Sequence, residues 1–153
     1  IVLSADLLLQ LDGLIGSEKV PLRELYSSLA NVSALLAANM EEINWVGFYL
    51  VQDPTTLILG PFQGKVACTT IPFGKGVCGT AWREKRVLVV PNVEAFEGHI
   101  VCDSASQSEV VIPIIKGSEV VGVLDIDSPK LDRFTPQEVE LLTAVAERLA
   151  LLF

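Results

Sequence analysis

Residues 43–51 alternate with a period of two, and the side chains are largely apolar on both sides of the alternation. They divide into one set for each face of a strand: Ile43, Trp45, Gly47, Tyr49 and Val51, and Asn44, Val46, Phe48 and Leu50. Successive side chains of a strand point to opposite faces of its sheet. The pattern therefore predicts a central strand, and the other elements of the chain have to cover the sheet on both faces.

The other segments divide by their period into strands and helices. Strands are predicted at 57–62, 87–90, 110–115 and 120–126, and helices at 4–15, 21–40, 77–85 and 135–153. Ser4 and Thr135 are the expected N-caps of the first and last helices, and Gly117-Ser118 is the expected turn of the last hairpin. Residues 64–73 have no clear period. Helices at the ends of the chain and strands between them indicate an α+β fold with an antiparallel sheet.

This order also predicts how the layers are arranged. We expect a single domain over residues 1–153, because a chain of this length buries about 70% of its unfolded surface in one core. The N- and C-terminal helices should pack together on one sheet face, where their surplus leucines can also serve a dimer. Loops that cross the opposite face would then enclose a pocket.

Composition excludes several classes of partner. The formal net charge of -8 argues against nucleic acid and against an anionic membrane, because both require a basic surface. No apolar run reaches the length of about 18 residues that a membrane-spanning helix needs. The odd count of 3 cysteines suits free thiols in a reducing compartment better than a secreted disulfide framework, so a cytoplasmic location is expected.

The long polar segment 90–109 carries Cys102 between two predicted strands. Loops of this length inside compact domains are more often functional than idle, and polar neighbours favour an accessible thiol. A thiolate that attacks an electrophilic oxygen donor becomes a sulfenic acid, and a second thiol then condenses with it to a disulfide. Cys68 and Cys78 are the candidates for that second thiol, although Cys78 lies in an apolar helix and can equally be a buried core residue.

Two other chemistries compete for the same residues. Cys68, Cys78, Cys102 and His99 have the donor types of a zinc site, but structural zinc sites use closely spaced ligand pairs, and no such cysteine pair is present. A Cys-His hydrolase is compatible with the composition, yet His99 lies close to Cys102 in sequence, whereas such pairs are usually distant. The chain has no phosphate-binding loop, dinucleotide glycine motif or serine elbow.

Acidic residues near the same region suggest a proton donor. Asp125 and Asp127 alternate at the end of a predicted strand and therefore point to one face. Glu109 begins the partner strand; a three-residue hairpin loop places it on that face, and a two-residue loop places it on the opposite face. Three carboxyl groups in one pocket do not all stay ionised, so one of them can hold a proton for a substrate oxygen. The alternative is that these acids are simply solvated at strand ends.

Five blocks of the sequence resemble one family. They are Asn44-Trp-Val-Gly-Phe-Tyr49, Gly60-Pro-Phe-Gln-Gly-Lys-Val-Ala-Cys68, Ile71-Pro-Phe-Gly-Lys-Gly-Val-Cys-Gly-Thr80, His99-Ile-Val-Cys-Asp-Ser-Ala-Ser-Gln-Ser-Glu109 and Gly122-Val-Leu-Asp-Ile-Asp127. These blocks resemble the GAF-domain enzymes that reduce free methionine-(R)-sulfoxide, and the likeness covers nearly the whole chain. The resemblance implies a GAF fold, a homodimer, no prosthetic cofactor and a thioredoxin-like protein as the reductant.

The resemblance also assigns roles to individual residues. Cys102 would be the catalytic nucleophile, Cys68 the resolving cysteine and Cys78 a supporting thiol. The acids Glu109, Asp125 and Asp127 would polarise the sulfoxide and anchor the amino acid. The aromatic residues Trp45 and Tyr49 would surround the S-methyl group; alternation alone assigns them equally to the core or to a pocket wall. The family pattern favours the hairpin register that brings the three acids together. The rival functions are a ligand-sensing GAF module, which needs no thiols, and a thiol peroxidase.

Overall fold

The computed structural model describes residues 5–102 and 105–153. Its helices are α1 Asp6–Leu14, α2 Leu22–Asn39, α3 Gly76–Glu84 and α4 Pro136–Ala150, and a 3₁₀ turn covers Val93–Ala95. Its strands are β1 Trp45–Asp53, β2 Thr56–Gly64, β3 Thr70–Pro72, β4 Leu88–Val90, β5 Ser108–Lys116 and β6 Glu119–Ser128. Two helices precede the strands, one is inserted among them and one follows them, which confirms the predicted α+β class.

The strands form one antiparallel sheet in the order β3-β2-β1-β6-β5-β4. β1 lies between β2 and β6, so it is paired along both edges, and its first six residues are buried. The central strand that the alternation predicts is therefore confirmed. The hairpins β1-β2 and β5-β6 lie side by side because β6 returns to pair with β1.

Helices α1, α2 and α4 cover one face of this sheet. Phe48 of β1 and Ile112 of β5 belong to a core that also contains Leu29 of α2 and Leu142 of α4. These side chains have almost no exposed surface, and burial of a side chain of this size contributes about 1.5–3 kcal/mol. The predicted packing of the N- and C-terminal helices on one face is confirmed.

α3 and the neighbouring loops cover the opposite face. Trp45 and Tyr49 of β1 pack there with Val111 of β5 and with Cys78 and Trp82 of α3. The two faces of β1 thus contribute to two separate cores, as the period of two requires. A pocket lined by Trp45 and Tyr49 opens on this second face.

Helix α4 begins as the sequence predicts. The Thr135 hydroxyl accepts a hydrogen bond from the Glu138 N–H at 3.2 Å, and the Glu138 carboxylate accepts one from the Thr135 N–H at 3.0 Å, which completes a capping box. Burial acts to raise the pKa of Glu138, but hydrogen bonds from Arg133 and Thr135 hold it below its usual value. The predicted cap of the first helix, Ser4, lies outside the described residues; α1 begins at Asp6, with Ala5 at its N-cap position.

Two short elements are absent from the sequence prediction. β3 is an edge strand that ends at Pro72. The 3₁₀ turn Val93–Ala95 is capped by Asn92, whose side chain accepts a hydrogen bond from the Glu94 N–H at 3.1 Å. Elements this short do not establish a period, so the alternation of apolar residues cannot reveal them. None of the described helices combines the length and the hydropathy that crossing a bilayer requires.

Candidate active site

A pocket opens on the sheet face that α3 covers. Most of the residues that the sequence singles out contribute to its lining: Trp45, Tyr49, Cys78, Cys102, Glu109, Asp125 and Asp127. The remaining one, Cys68, is bonded to Cys102. The fold therefore gathers aromatic, acidic and thiol side chains from distant parts of the chain around one concave site, as is typical of small-molecule sites.

Strand pairing sets the positions of the acids. Glu109 of β5 lies opposite Asp127 of β6, which in turn lies opposite Trp45 of β1. Asp125 lies in the next row on the same face, opposite Gly47. Residues that lie opposite each other in an antiparallel pair point to the same face of the sheet. The register that the family resemblance favours, with the three acids together, is confirmed.

The hairpin reaches this register in an unexpected way. Its turn has two residues, Gly117-Ser118. A regular hairpin with a two-residue loop would place Glu109 on the face opposite to Asp125 and Asp127. A β-bulge next to Ile114 and Ile115 adds one residue, Val121, on β6. One extra residue on one strand reverses the alternation beyond it and returns Glu109 to the face of the other acids. The loop-length argument was therefore wrong, because it made no allowance for a bulge.

Glu109 and Asp125 form a buried pair of carboxyl groups, 7% and 5% exposed. Burial raises the pKa of both, and the negative charges of Asp125 and Asp127 raise the pKa of Glu109 further. Hydrogen bonds from Glu109, Cys78 and Asp127 act in the opposite direction on Asp125. The Oδ1 atom of Asp125 is buried and has no hydrogen-bond partner. The raised pKa of Glu109 favours its protonated form, which can donate a hydrogen bond.

Cys78 is a free, buried thiol on α3. Its sulfur and one carboxyl oxygen each from Glu109 and Asp125 all lie within 4.8 Å of one another. Burial raises the pKa of this thiol, and the negative charge of Asp125 raises it further. A protonated thiol is a poor nucleophile but a hydrogen-bond donor. The raised pKa of Cys78 therefore favours hydrogen-bond donation over nucleophilic attack.

Cys68 and Cys102 are joined by a disulfide, with their Cα atoms 5.5 Å apart. Cys68 lies in the segment between β2 and β3, and Cys102 lies between the 3₁₀ turn and β5. The two cysteines are 34 residues apart in sequence, and both are half-buried. This pair agrees with the nucleophile and resolving cysteine that the resemblance implies, whereas spacing alone had left the pairing open.

Trp45 and Tyr49 also hold the segment that carries Cys68. The two rings stack with their centroids 5.9 Å apart, and Trp45 stacks on Phe62 at 5.1 Å. The Tyr49 hydroxyl donates to the Cys68 carbonyl at 2.8 Å, and the Trp45 indole N–H donates to the Lys65 carbonyl at 3.2 Å. Burial raises the pKa of Tyr49 far above its ordinary value, so its hydroxyl remains a donor. Strand alternation places the rings but cannot reveal these partners, which come from another segment.

His99 joins the site through Glu109. Its Nε2 atom lies 3.8 Å from Oε1 of Glu109. Burial lowers the pKa of His99, although the charge of Asp125 acts in the opposite direction, so the neutral form of the imidazole is favoured. The sequence identified this histidine only as a partner for cysteines, because nothing in its spacing indicates a contact with β5.

The donor groups of the site fit hydrogen bonding better than metal binding. Two of the thiols in the alternative zinc set, Cys68 and Cys102, are consumed by the disulfide and cannot act as thiolate ligands. Cys78, Glu109 and Asp125 lie close enough to share an ion, but they combine a soft thiol with hard carboxyl groups. Burial also raises the pKa of Cys78 and Glu109 well above their ordinary values, which favours their protonated forms.

A comparison with models of protein families matches residues 22–153 to the GAF domain. The chain belongs to the GAF domain family. The fold class that the sequence predicts is the one this family has, and the order of helices and strands in the structure agrees with it.

Relatives of this GAF domain include named enzymes. Free methionine-R-sulfoxide reductase of Escherichia coli (strain K12) is 50% identical over 123 residues, which are 80% of this chain and 74% of that protein. The structure of fRMsr of Staphylococcus aureus in its reduced form has a TM-score of 0.87 at 49% identity, covering 95% of this chain and 92% of that one. Free methionine-R-sulfoxide reductase from Neisseria meningitidis, in complex with its substrate, has a TM-score of 0.87 at 38% identity, covering 98% and 91%. The family resemblance of the five sequence blocks is confirmed.

Proposed function

We propose that this GAF domain reduces free L-methionine-(R)-sulfoxide to methionine without a bound cofactor. The observation that carries the proposal is the Cys68–Cys102 disulfide beside a pocket lined by the buried acid Glu109. Such a site combines a two-electron donor, in its dithiol form, with a proton source. The names of the relatives from Escherichia coli and Neisseria meningitidis support this choice of substrate.

In the first step, the sulfur of reduced Cys102 attacks the sulfoxide sulfur while Glu109 donates a proton to the sulfoxide oxygen. The oxygen passes to Cys102, which becomes a sulfenic acid, and the substrate sulfur gains two electrons and leaves as the thioether of methionine. The proton of the Cys102 thiol replaces the one that Glu109 gave. The raised pKa of Glu109 suits this role, because the acid has to be protonated near neutral pH.

In the second step, Cys68 attacks the sulfenic sulfur of Cys102, and water leaves as the disulfide forms. The Cα separation of 5.5 Å is within the range that such a bond requires, so the fold can hold the two sulfurs in reach of each other. A thioredoxin-type dithiol then returns two electrons and two protons and restores both thiols. Cys78 supports the acids during this cycle and is not consumed.

Binding of the free amino acid follows from the charges of the pocket. Trp45 and Tyr49 provide an apolar wall for the S-methyl group, and the carboxylates of Asp125 and Asp127 attract the substrate ammonium. A methionine sulfoxide inside a peptide has no ammonium and would leave the buried Asp125 charge without its partner. Sites that lose a buried polar contact in this way discriminate strongly between ligands.

The test is methionine release from the separated R and S epimers, with a thioredoxin system as reductant. The wild-type protein should release methionine from the R epimer alone. Cys102→Ser should release none, whereas the matched variant Cys68→Ser should release one equivalent and then stop, because its sulfenic acid cannot be resolved. Multiple turnovers by Cys68→Ser would contradict the assigned role of that cysteine.

The rival functions predict different results in the same assay. If folded, reduced protein released no methionine from either epimer, a ligand-sensing GAF module would be the better account. Peroxide consumption without sulfoxide reduction would indicate a thiol peroxidase. Equal rates with the two epimers would contradict the proposed stereoselectivity.

A further inference from the structure

Two of the most exposed large hydrophobic side chains in the described chain flank the disulfide. Val66 is 89% exposed and Val101 is 68% exposed. Val66 precedes Cys68 by two residues and Val101 directly precedes Cys102, so the Cα atom of each valine lies within about 8 Å of that of a bonded cysteine. Single exposed valines are common on soluble proteins. Here one exposed valine lies beside each cysteine of the same disulfide, so apolar surface is available at both halves of the bond.

This surface lies where a reductant has to approach. Cys68 and Cys102 are half-buried, and the hydrogen bond from Tyr49 holds the Cys68 segment from the sheet side. A partner that reaches either sulfur therefore comes close to an exposed valine. A small dithiol needs only to reach one sulfur, whereas a protein dithiol also places its surface against the neighbouring side chains. An apolar centre with polar groups around it is the usual composition of such an interface.

We propose that Val66 and Val101 form the docking surface for the protein that reduces the disulfide, a partner that presents its two thiols on an apolar surface. The inference rests on the proposed function, because it takes the Cys68–Cys102 disulfide to be formed in each turnover. One partner thiolate attacks a sulfur of the disulfide and forms a mixed disulfide, and the other cysteine leaves as a thiolate that takes up a proton. The second partner thiol then displaces the first bond. The partner leaves as a disulfide, and two electrons and two protons have passed to Cys68 and Cys102.

The test compares two reductants in variants of the full chain. Val66→Asn, Val101→Asn and the double variant are assayed with thioredoxin, its reductase and NADPH, and separately with dithiothreitol. We expect the KM for thioredoxin to rise about five-fold in each single variant and about 20-fold in the double variant. A five-fold change corresponds to about 1 kcal/mol, which is the scale for partial burial of one valine. The readout is the ratio of kcat/KM for thioredoxin to the rate with dithiothreitol, in which the fraction of folded protein cancels.

A matched control is available on β4. Val89 is 44% exposed, and it lies between Leu88 and Val90, both of which belong to the core on the pocket side. Its side chain therefore points to the opposite face of the sheet. Val89→Asn makes the same chemical change at another exposed valine, away from the disulfide, and it should leave the ratio unchanged.

The possible results separate the docking surface from the reaction itself. A ratio that stays constant in the double variant would overturn the inference, and so would an equal fall with both reductants, which would assign the valines to sulfoxide binding. The same fall in Val89→Asn would also overturn it. If wild-type protein with dithiothreitol does not reduce the sulfoxide, the proposed function fails instead. Docking is then still measured by the rate at which thioredoxin alone restores the two thiols.

Discussion

Glu109→Gln preserves the size of the side chain and removes its titratable proton. Glu109 lies beside Asp125 in the pocket and has Nε2 of His99 3.8 Å from its Oε1 atom, so the glutamine fits the same space. If Glu109 is the acid that protonates the sulfoxide oxygen, kcat/KM should fall about 10²- to 10⁴-fold, the usual contribution of a positioned acid. In the wild type, activity should fall as the pH rises through the raised pKa of Glu109, because the acid is then deprotonated.

The same substitution should stabilise the fold at neutral pH. The pKa of Glu109 is raised above 4.5 in the folded protein, so between these two values the native state binds a proton that the unfolded chain does not. Wild-type stability therefore falls as the pH rises through this window, by up to about 1.4 kcal/mol per pH unit for one proton. Glutamine has no proton to lose, and its amide N–H can donate to the unpartnered Oδ1 of Asp125.

Two measurements check this reasoning. Urea unfolding from about pH 4 to about pH 8 gives the stability difference, which should grow with pH, and methionine release gives the activity. Glu140→Gln, on the exposed face of α4, is the control and should change neither quantity. If the free energy of unfolding depends on pH in the same way in Glu109→Gln and in the wild type, the raised pKa of Glu109 is refuted. If the variant also keeps more than about one tenth of wild-type activity, the role of Glu109 as the acid is refuted.

Three other variants test single contacts. Tyr49→Phe removes the donor to the Cys68 carbonyl and should slow disulfide formation several-fold. It should also lower the free energy of unfolding by about 0.5–1.5 kcal/mol. Rapid-quench thiol counting checks the rate, with Tyr26→Phe at an exposed position of α2 as the control. Gly47→Ala should lower the free energy of unfolding by at least about 2 kcal/mol, because its Cβ would collide with Phe62 and lie 2.9 Å from the Pro61 carbonyl oxygen. Gly13→Ala in α1, with no atom within 4 Å, should be neutral or stabilising in the same denaturant titration. Cys78→Ala should still lose two thiols on addition of sulfoxide, and loss of fewer would contradict the Cys68–Cys102 pairing.

Local patterns in the sequence predicted the main elements of the fold. The alternation around Phe48 identified the central strand, and the leucine period identified α2, because a buried face repeats regularly within one element. Thr135 and Glu138 predicted the start of α4, since both partners of a capping box lie within one turn. The ends of elements were less well predicted; α4 ends at Ala150 and not at Phe153, since the last residues of a helix contribute few of its hydrogen bonds.

The site was only partly predictable from the same patterns. Parity alone assigned Trp45 and Tyr49 to one face of their strand, and Asp125 and Asp127 to one face of theirs. The pairing of β1 with β6 in the structure shows that these two faces are the same. Glu109 could be added only through the family resemblance, because two hairpin registers were open. The contact between His99 and Glu109 and the hydrogen bond from Tyr49 to Cys68 had no local signal, since each joins segments that the period of a single element does not relate.

The sequence by itself determined which residues lie on which face of a strand or helix, and the family blocks indicated the chemistry that we propose for those residues. Only the tertiary structure decided that a bulge at Val121 returns Glu109 to the acids, that Cys68 bonds Cys102, and that Cys78 remains a buried thiol. The physical reason is the range of the interactions. Burial patterns are set by neighbours within a few residues, whereas strand register, disulfide pairing and the pKa of a buried acid depend on groups that only the complete fold brings together.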